Sequence, residues 1–90
     1  MPVAVRICPD QMSRDEYNSV IKDLEDAGCG EPEGRQLHAA YGQDNVHMFE
    51  IWDSEEQFNA HHQQFLATLE AAGLDAGSCE VHPLHSDLPD

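Results

Sequence analysis

The sequence predicts a single α+β domain in which one antiparallel sheet of four strands carries two helices on one face. Two helical stripes with capping signals, and four short strand-like runs separated by turn residues, give the order β-α-β-β-α-β. At 90 residues the chain suffices for one domain and buries only about 60–65% of its unfolded surface.

Val3 to Cys8 is apolar-rich and β-branched and stops at Pro9, as a strand does. Ser13 and Glu16 stand at capping-box spacing, where the hydroxyl accepts from a helix-start amide and the carboxylate reaches back. Tyr17, Val20, Ile21, Leu24 and Ala27 then trace one face of an amphipathic helix, and Gly28 suits its C-terminal end. Cys29 to Gly34 is a loop. Arg35 to Tyr41 and Val46 to Trp52 are strand-like, and Gly42-Gln43-Asp44-Asn45 has hairpin-turn composition. A turn centred on Gln43-Asp44 places Leu37, Ala39, Tyr41, Val46, Met48, Glu50 and Trp52 on one sheet face. His38, Ala40, His47, Phe49 and Ile51 then share the other.

Asp53 and Ser54 are both able to cap the second helix, and Gln57 completes a capping-box spacing with Ser54. This helix runs from about Ser54 to Ala72 with Phe58, His61 or His62, Phe65, Leu69 and Ala72 on its buried stripe, and Gly73 ends it. Cys79 to His85 is the last strand, which Pro83 marks as an edge or bulged one, and Ser86 to Asp90 is a polar tail. Right-handed crossovers turn this order into the ferredoxin-like split βαβ plan, with both helices on one face. Both sheet faces are substantially apolar, so a second copy packing sheet to sheet, a homodimer, is expected.

The chain carries 18 acidic and 4 basic residues, a formal charge of −14. Such a balance lacks the basic footprint that nucleic acid or an anionic membrane requires, so neither is an expected partner. No apolar run reaches the roughly 20 residues of a membrane span, and no secretory leader is evident. Three cysteines without a Cys-x-x-Cys pair fit reduced thiols, and a cytoplasmic protein is expected. The topology brings Cys8 near Cys79. A disulfide there is geometrically conceivable, and two small buried thiols are the ordinary alternative.

The predicted helix-side pocket gathers Tyr41, Met48, Glu50 and Trp52 from the sheet with Phe58, His61 and Phe65 from the second helix. An apolar cavity with few convergent polar groups is the usual form of a small-molecule site. A His61 pointed at Glu50 would be a base with its orienting carboxylate, and an aromatic ligand would stack on Trp52. The same residues also read as core, with Glu50 near solvent or paired with Arg6 or Arg35. Six histidines raise the question of metal. Neither His61-His62 nor His82 with His85 has a helical i, i+4 or zinc-finger spacing, so no metal is expected.

The segment Glu50-Ile51-Trp52-Asp53-Ser54 followed by Phe58 and His61 resembles the dimeric α/β-barrel superfamily, in its antibiotic-biosynthesis-monooxygenase-like branch. The ending Glu80-Val81-His82-Pro83-Leu84-His85-Ser86, with His38 in the second strand, resembles a group of small bacterial proteins of that superfamily. The resemblance implies a dimeric barrel, and in such barrels His38 and His85 lie on strands that meet between subunits. It also implies a cofactor-independent monooxygenase-like enzyme acting on an aromatic or quinone-type compound, with Trp52 retained. Met48 stands where quinol monooxygenases of the branch have asparagine, and Phe58 where they have tyrosine. Haem-degrading relatives have a tryptophan at the position of His61 and a haem-ligating histidine at that of Ala71, so that ligand is absent. Two functions follow. One is a monooxygenase-like enzyme in which Trp52 stacks on substrate, His61 moves a proton and Glu50 orients it, without cofactor. The other is a non-catalytic protein, ligand-binding or stress-associated, that kept the fold and lost the chemistry.

Overall fold

The computed structural model describes residues 1–85, so the expected tail from Ser86 to Asp90 lies outside the described residues. β1 (Val3–Cys8), α1 (Arg14–Asp26), β2 (Arg35–Tyr41), β3 (His47–Trp52), α2 (Glu55–Ala71) and β4 (Ser78–Pro83) follow in the predicted order. The strands lie side by side as β2-β3-β1-β4, each antiparallel to its neighbours, which is the ferredoxin-like arrangement.

Local signals start both helices. The Ser13 Oγ accepts the Glu16 backbone N–H at 3.1 Å, and the Ser13 N–H donates to the Glu16 carboxylate at 2.9 Å, so the first capping box is complete. Ser54 accepts the Gln57 N–H at 3.2 Å, but its hydroxyl donates to the Gln57 side-chain oxygen at 3.0 Å. The second box is therefore half formed. Alternation in β1 turns Val3, Val5 and Ile7 inward against Val20 and Leu24 of α1 and Phe58, Phe65 and Leu69 of α2. Burying such side chains is worth roughly 1.5–3 kcal/mol each, and it fixes which sheet face the helices cover.

The hairpin differs from expectation in a way that matters for the site. Tyr41 pairs with His47, leaving the five residues 42–46 as the connection. The Gln43 carbonyl accepts the Arg14 N–H at 3.1 Å and the Met12 carbonyl accepts the Val46 N–H at 2.8 Å. These bonds tie the turn to the segment that leads into α1, and Gly42 supports it at a φ of +102°. Side chains alternate with period two, so an odd connection exchanges the faces of β2 relative to an even one. His38 lies opposite Glu50 and Ala40 opposite Met48, on the helix side. Tyr41, expected in the helix-side pocket, stands instead on the open face with Leu37, Ala39, His47, Phe49 and Ile51.

Two expectations about the last strand change as well. It ends at Pro83 rather than His85, because proline has no N–H for the ladder; Leu84 N–H then reaches the Pro2 carbonyl at 3.0 Å. β4 is at the sheet edge, as Pro83 implies. Ile7 is opposite Cys79 and Cys8 is opposite Ser78, so the two cysteines project to different faces and remain free thiols. Their register excludes a disulfide.

The open face carries the exposed side chains of Leu37, Tyr41 and Phe49, with Arg6 and Glu80 paired across it at 3.9 Å. That exposed ion pair contributes little. Among the described residues no helix is long and apolar enough to cross a membrane. At Gly42 an added Cβ would meet the Asn45 carbonyl oxygen at 2.5 Å in a left-handed backbone conformation. Gly42→Ala is expected to cost about 1–3 kcal/mol, read as a lower urea midpoint with an unchanged slope.

Candidate functional site

The inward face of the hairpin holds one charged side chain. Glu50 is only 4% exposed, between Met48 and Trp52, which are fully buried. A carboxylate there must find donors, and it finds several. Trp52 Nε1–H donates to Oε1 at 2.8 Å, His38 Nδ1 meets Oε2 at 2.5 Å, and Arg35 Nη1 lies 3.6 Å from Oε2. Arg35 also donates to the Gly30 carbonyl at 3.0 Å, which ties the α1–β2 loop to the same carboxylate. Beyond His38, its Nε2 meets the Tyr17 hydroxyl at 2.6 Å. The Tyr17 and His38 rings are within 4° of parallel with centroids 6.1 Å apart, an edge-to-edge approach through the hydrogen bond.

Charge assigns the protons. Burial pushes the Glu50 carboxyl upward, but the hydrogen bonds from His38 and Trp52, with the charges of His38 and Arg35, outweigh it and hold the group below its ordinary value. Ionised Glu50 only accepts, so His38 donates from Nδ1. In neutral His38 the Nε2 lone pair then accepts the Tyr17 O–H. Burial raises the Tyr17 phenol, Arg35 opposes and Glu50 adds to the rise, so the phenol keeps its proton at neutral pH. Among the described residues no buried side-chain nitrogen or oxygen lacks a partner. A phenol, an imidazole and a carboxylate in series follow the logic by which a carboxylate orients an imidazole to take a proton from a hydroxyl.

The residues expected to form the pocket fall into three groups. Glu50 and Trp52 belong to the network. Met48, Phe58 and Phe65 pack with Trp52 as core, filling the space where a cavity was expected. Tyr41 faces away. His61 makes no hydrogen bond to Glu50; its ring lies 5.4 Å from that of Trp52 and lines a groove of about 360 Å³. Gly28, Cys29, Pro32, Gln57, Ala60 and Gln64 also line it. His62 stacks between Phe58 and Phe65, at 4.8 and 5.7 Å. His38 and Tyr17 are the residues sequence reasoning misses as site residues. An even turn sends His38 to the wrong face, and Tyr17 reads in the sequence only as a member of the α1 stripe. Both ring nitrogens of His38 are committed within the network, and among the described residues no group of three or more His, Cys, Asp or Glu gathers to hold a metal.

Removing the carboxylate strands its donors in the interior. Glu50→Ala is expected to cost about 3–5 kcal/mol in denaturant unfolding. Acid acts in the same direction. Burial lowers the pKa of His61 and of His62, against the opposing pull of Glu50; for His61, Arg35 and the neighbouring histidines lower it further. The unfolded chain therefore binds those protons more readily, and stability falls as pH drops below about 6.5. The contribution of Glu50 is full above the ordinary carboxylate value and is lost as pH falls toward its depressed folded value. Thermal melts from pH 8 to pH 3 are expected to show both losses, and replacing His61 and His62 by glutamine should flatten only the upper one.

No protein-family model matches this sequence, and no curated protein matches it. Solved structures do match in fold. A point variant of SnoaB, a cofactor-independent oxygenase from Streptomyces nogalater, superposes with a TM-score of 0.67 at 16% identity, covering 99% of this chain and 97% of that one. A candidate antibiotic biosynthesis monooxygenase from Deinococcus radiodurans gives a TM-score of 0.66 at 11% identity over 100% of this chain and 98% of its own. Rv0793 from Mycobacterium tuberculosis gives 0.61 at 20% identity over 98% and 100%. At these identities the likeness establishes the fold, the ferredoxin-like fold of antibiotic-biosynthesis-monooxygenase-like proteins, over nearly the whole chain.

Proposed function

We propose that this protein is a cofactor-independent, monooxygenase-like enzyme acting on an aromatic or quinone-type small molecule. The observation that supports it is His38, held by a buried ionised carboxylate with its second nitrogen turned to accept a proton from the Tyr17 hydroxyl. Cofactor-free oxygenation begins with removal of a proton from an acidic O–H or C–H, which leaves an electron-rich anion able to react with dioxygen. For an anthrone, one oxygen atom enters the methylene carbon and the other leaves as water with its two hydrogens. The chain's residues supply the proton handling. Glu50 orients the base. His61 lines a groove that His38 does not reach, so it stands apart from that base, and its lowered pKa keeps it neutral at pH 7. Trp52 is fully buried and acts by backing His61 and holding Glu50, while Met48, Phe58 and Phe65 form the packed wall behind it. A second copy covers the open face at Leu37, Tyr41 and Phe49, making the protein a homodimer in this reading. The wider resemblance of SnoaB and its relatives in fold supports the same class of chemistry.

The packing of Met48, Trp52, Phe58 and Phe65 favours a second reading, a binding protein that retains the fold without turnover. Oxygen uptake with an anthrone separates the two. An enzyme should exceed the buffer rate, and His38→Ala should lower kcat by about 10²–10⁴-fold. Binding of the anthrone with no uptake above buffer would establish the second reading instead.

A further inference from the structure

We infer that the phenol of Tyr17 is the group that meets the substrate, and that His38 and Glu50 act through it as a three-membered proton relay opening on the small cleft between α1 and β2. This rests on the enzymatic reading above and names its contact point. The nitrogen that would serve as base, His38 Nε2, is not free; it is capped by the Tyr17 hydroxyl at 2.6 Å. A substrate proton bound for His38 therefore passes by way of that oxygen. The Tyr17 O–H hands its proton to Nε2 while the phenol oxygen takes one from the substrate's acidic O–H or C–H. Tyr17 ends neutral, His38 ends as imidazolium against the Glu50 carboxylate, and the substrate ends as the anion. No charge is left unpaired in the interior, because the new cation forms 2.5 Å from an existing anion.

The surroundings suit an anion forming at this place. Tyr17 lines a cleft of about 110 Å³ with Arg14, Asn18, Ala40, Tyr41, Gly42 and Val46. Of the four basic residues, Arg6 and Arg35 pair with Glu80 and Glu50. Among the described residues Arg14 has no carboxylate at pairing distance, so its guanidinium is available to a developing phenolate or enolate in the cleft. The volume admits the acidic end of a substrate and not a whole polycyclic ring. The predicted ligand is an aromatic or quinone-type molecule presenting one phenolic, enolic or benzylic proton at its edge. The charged or titratable groups around His38 are Tyr17 from α1, Arg35 from β2, Glu50 from β3 and His61 from α2.

Protonation of His38 reaches Tyr17 through the shared hydrogen bond, and the effect of Tyr17→Phe on turnover separates a relay from a structural bond. Once Nε2 carries a proton it donates, and the Tyr17 hydroxyl must turn from donor to acceptor. The chain has only two tyrosines, so 13C at tyrosine Cζ gives two signals that Tyr41→Phe assigns. The Tyr17 signal is expected to move together with that of the His38 imidazole as the imidazole takes up its proton. A flat Tyr17 signal while His38 titrates overturns the inference. In oxygen uptake with an anthrone, Tyr17→Phe should lower kcat by about 10²–10⁴-fold with KM little changed. An active wild type with a full-rate Tyr17→Phe variant also overturns it. If the wild type shows no uptake above buffer, the enzymatic reading fails, and with it the substrate contact assigned to Tyr17, whatever coupling the resonance shows.

Discussion

A carboxylate placed in the interior of a small domain fixes more of this structure than any apolar contact does. Glu50 loses its hydration among Met48, Trp52 and the helix layer, a loss worth several kcal/mol unless donors replace water. The replacements come from two strands: Trp52 on the same strand, and His38 and Arg35 on the neighbouring one, with Arg35 carrying the loop at Gly30 along. Tyr17 joins from the first helix through His38. The hairpin register, the approach of α1 to β2 and the path of the loop after α1 must all agree for every polar atom to be paired. Mutual consistency of this kind is what buried polar networks add to a core that hydrophobic burial alone would leave more permissive.

Much of the fold was legible because it is written in short-range patterns. The stripe from Tyr17 to Leu24, the capping residues Ser13 and Ser54, and the alternation of Val3, Val5 and Ile7 each report a local preference that the tertiary structure kept. The connection between β2 and β3 was not legible in the same way. Gly42 to Asn45 carries turn residues, but composition does not say whether Val46 belongs to the turn or to the strand. Its N–H bonds to Met12, a residue far away in sequence, and that long-range bond decides the matter. One residue of difference is enough to exchange His38 and Tyr41 between faces.

The site shows the same division. Glu50 and Trp52 are identifiable from their own neighbourhood, because a carboxylate and an indole alternate with apolar residues on one strand. The partner that the sequence suggests for Glu50 is His61, which shares a helix stripe with Phe58 and Phe65. The partner found in the fold is His38, because strand pairing sets two side chains directly opposite while a helix can only lay its residues over the sheet. Tyr17 is visible as apolar periodicity. Its hydroxyl gives no signal of its own, since a phenol at an amphipathic position reads as a packing residue until its partner is known.

Trp52 is the chain's only tryptophan, and it donates its indole proton to the central carboxylate while resting against His61. An indole chromophore is sensitive to the charge and the proton donors that touch it. The emission of the unlabelled protein is therefore an optical gauge of this network, responding to the ionisation of Glu50 from one side and to the imidazole of His61 from the other. A change in the charge or position of the His61 imidazole reaches the indole directly, and the molecule needs no added dye to report it.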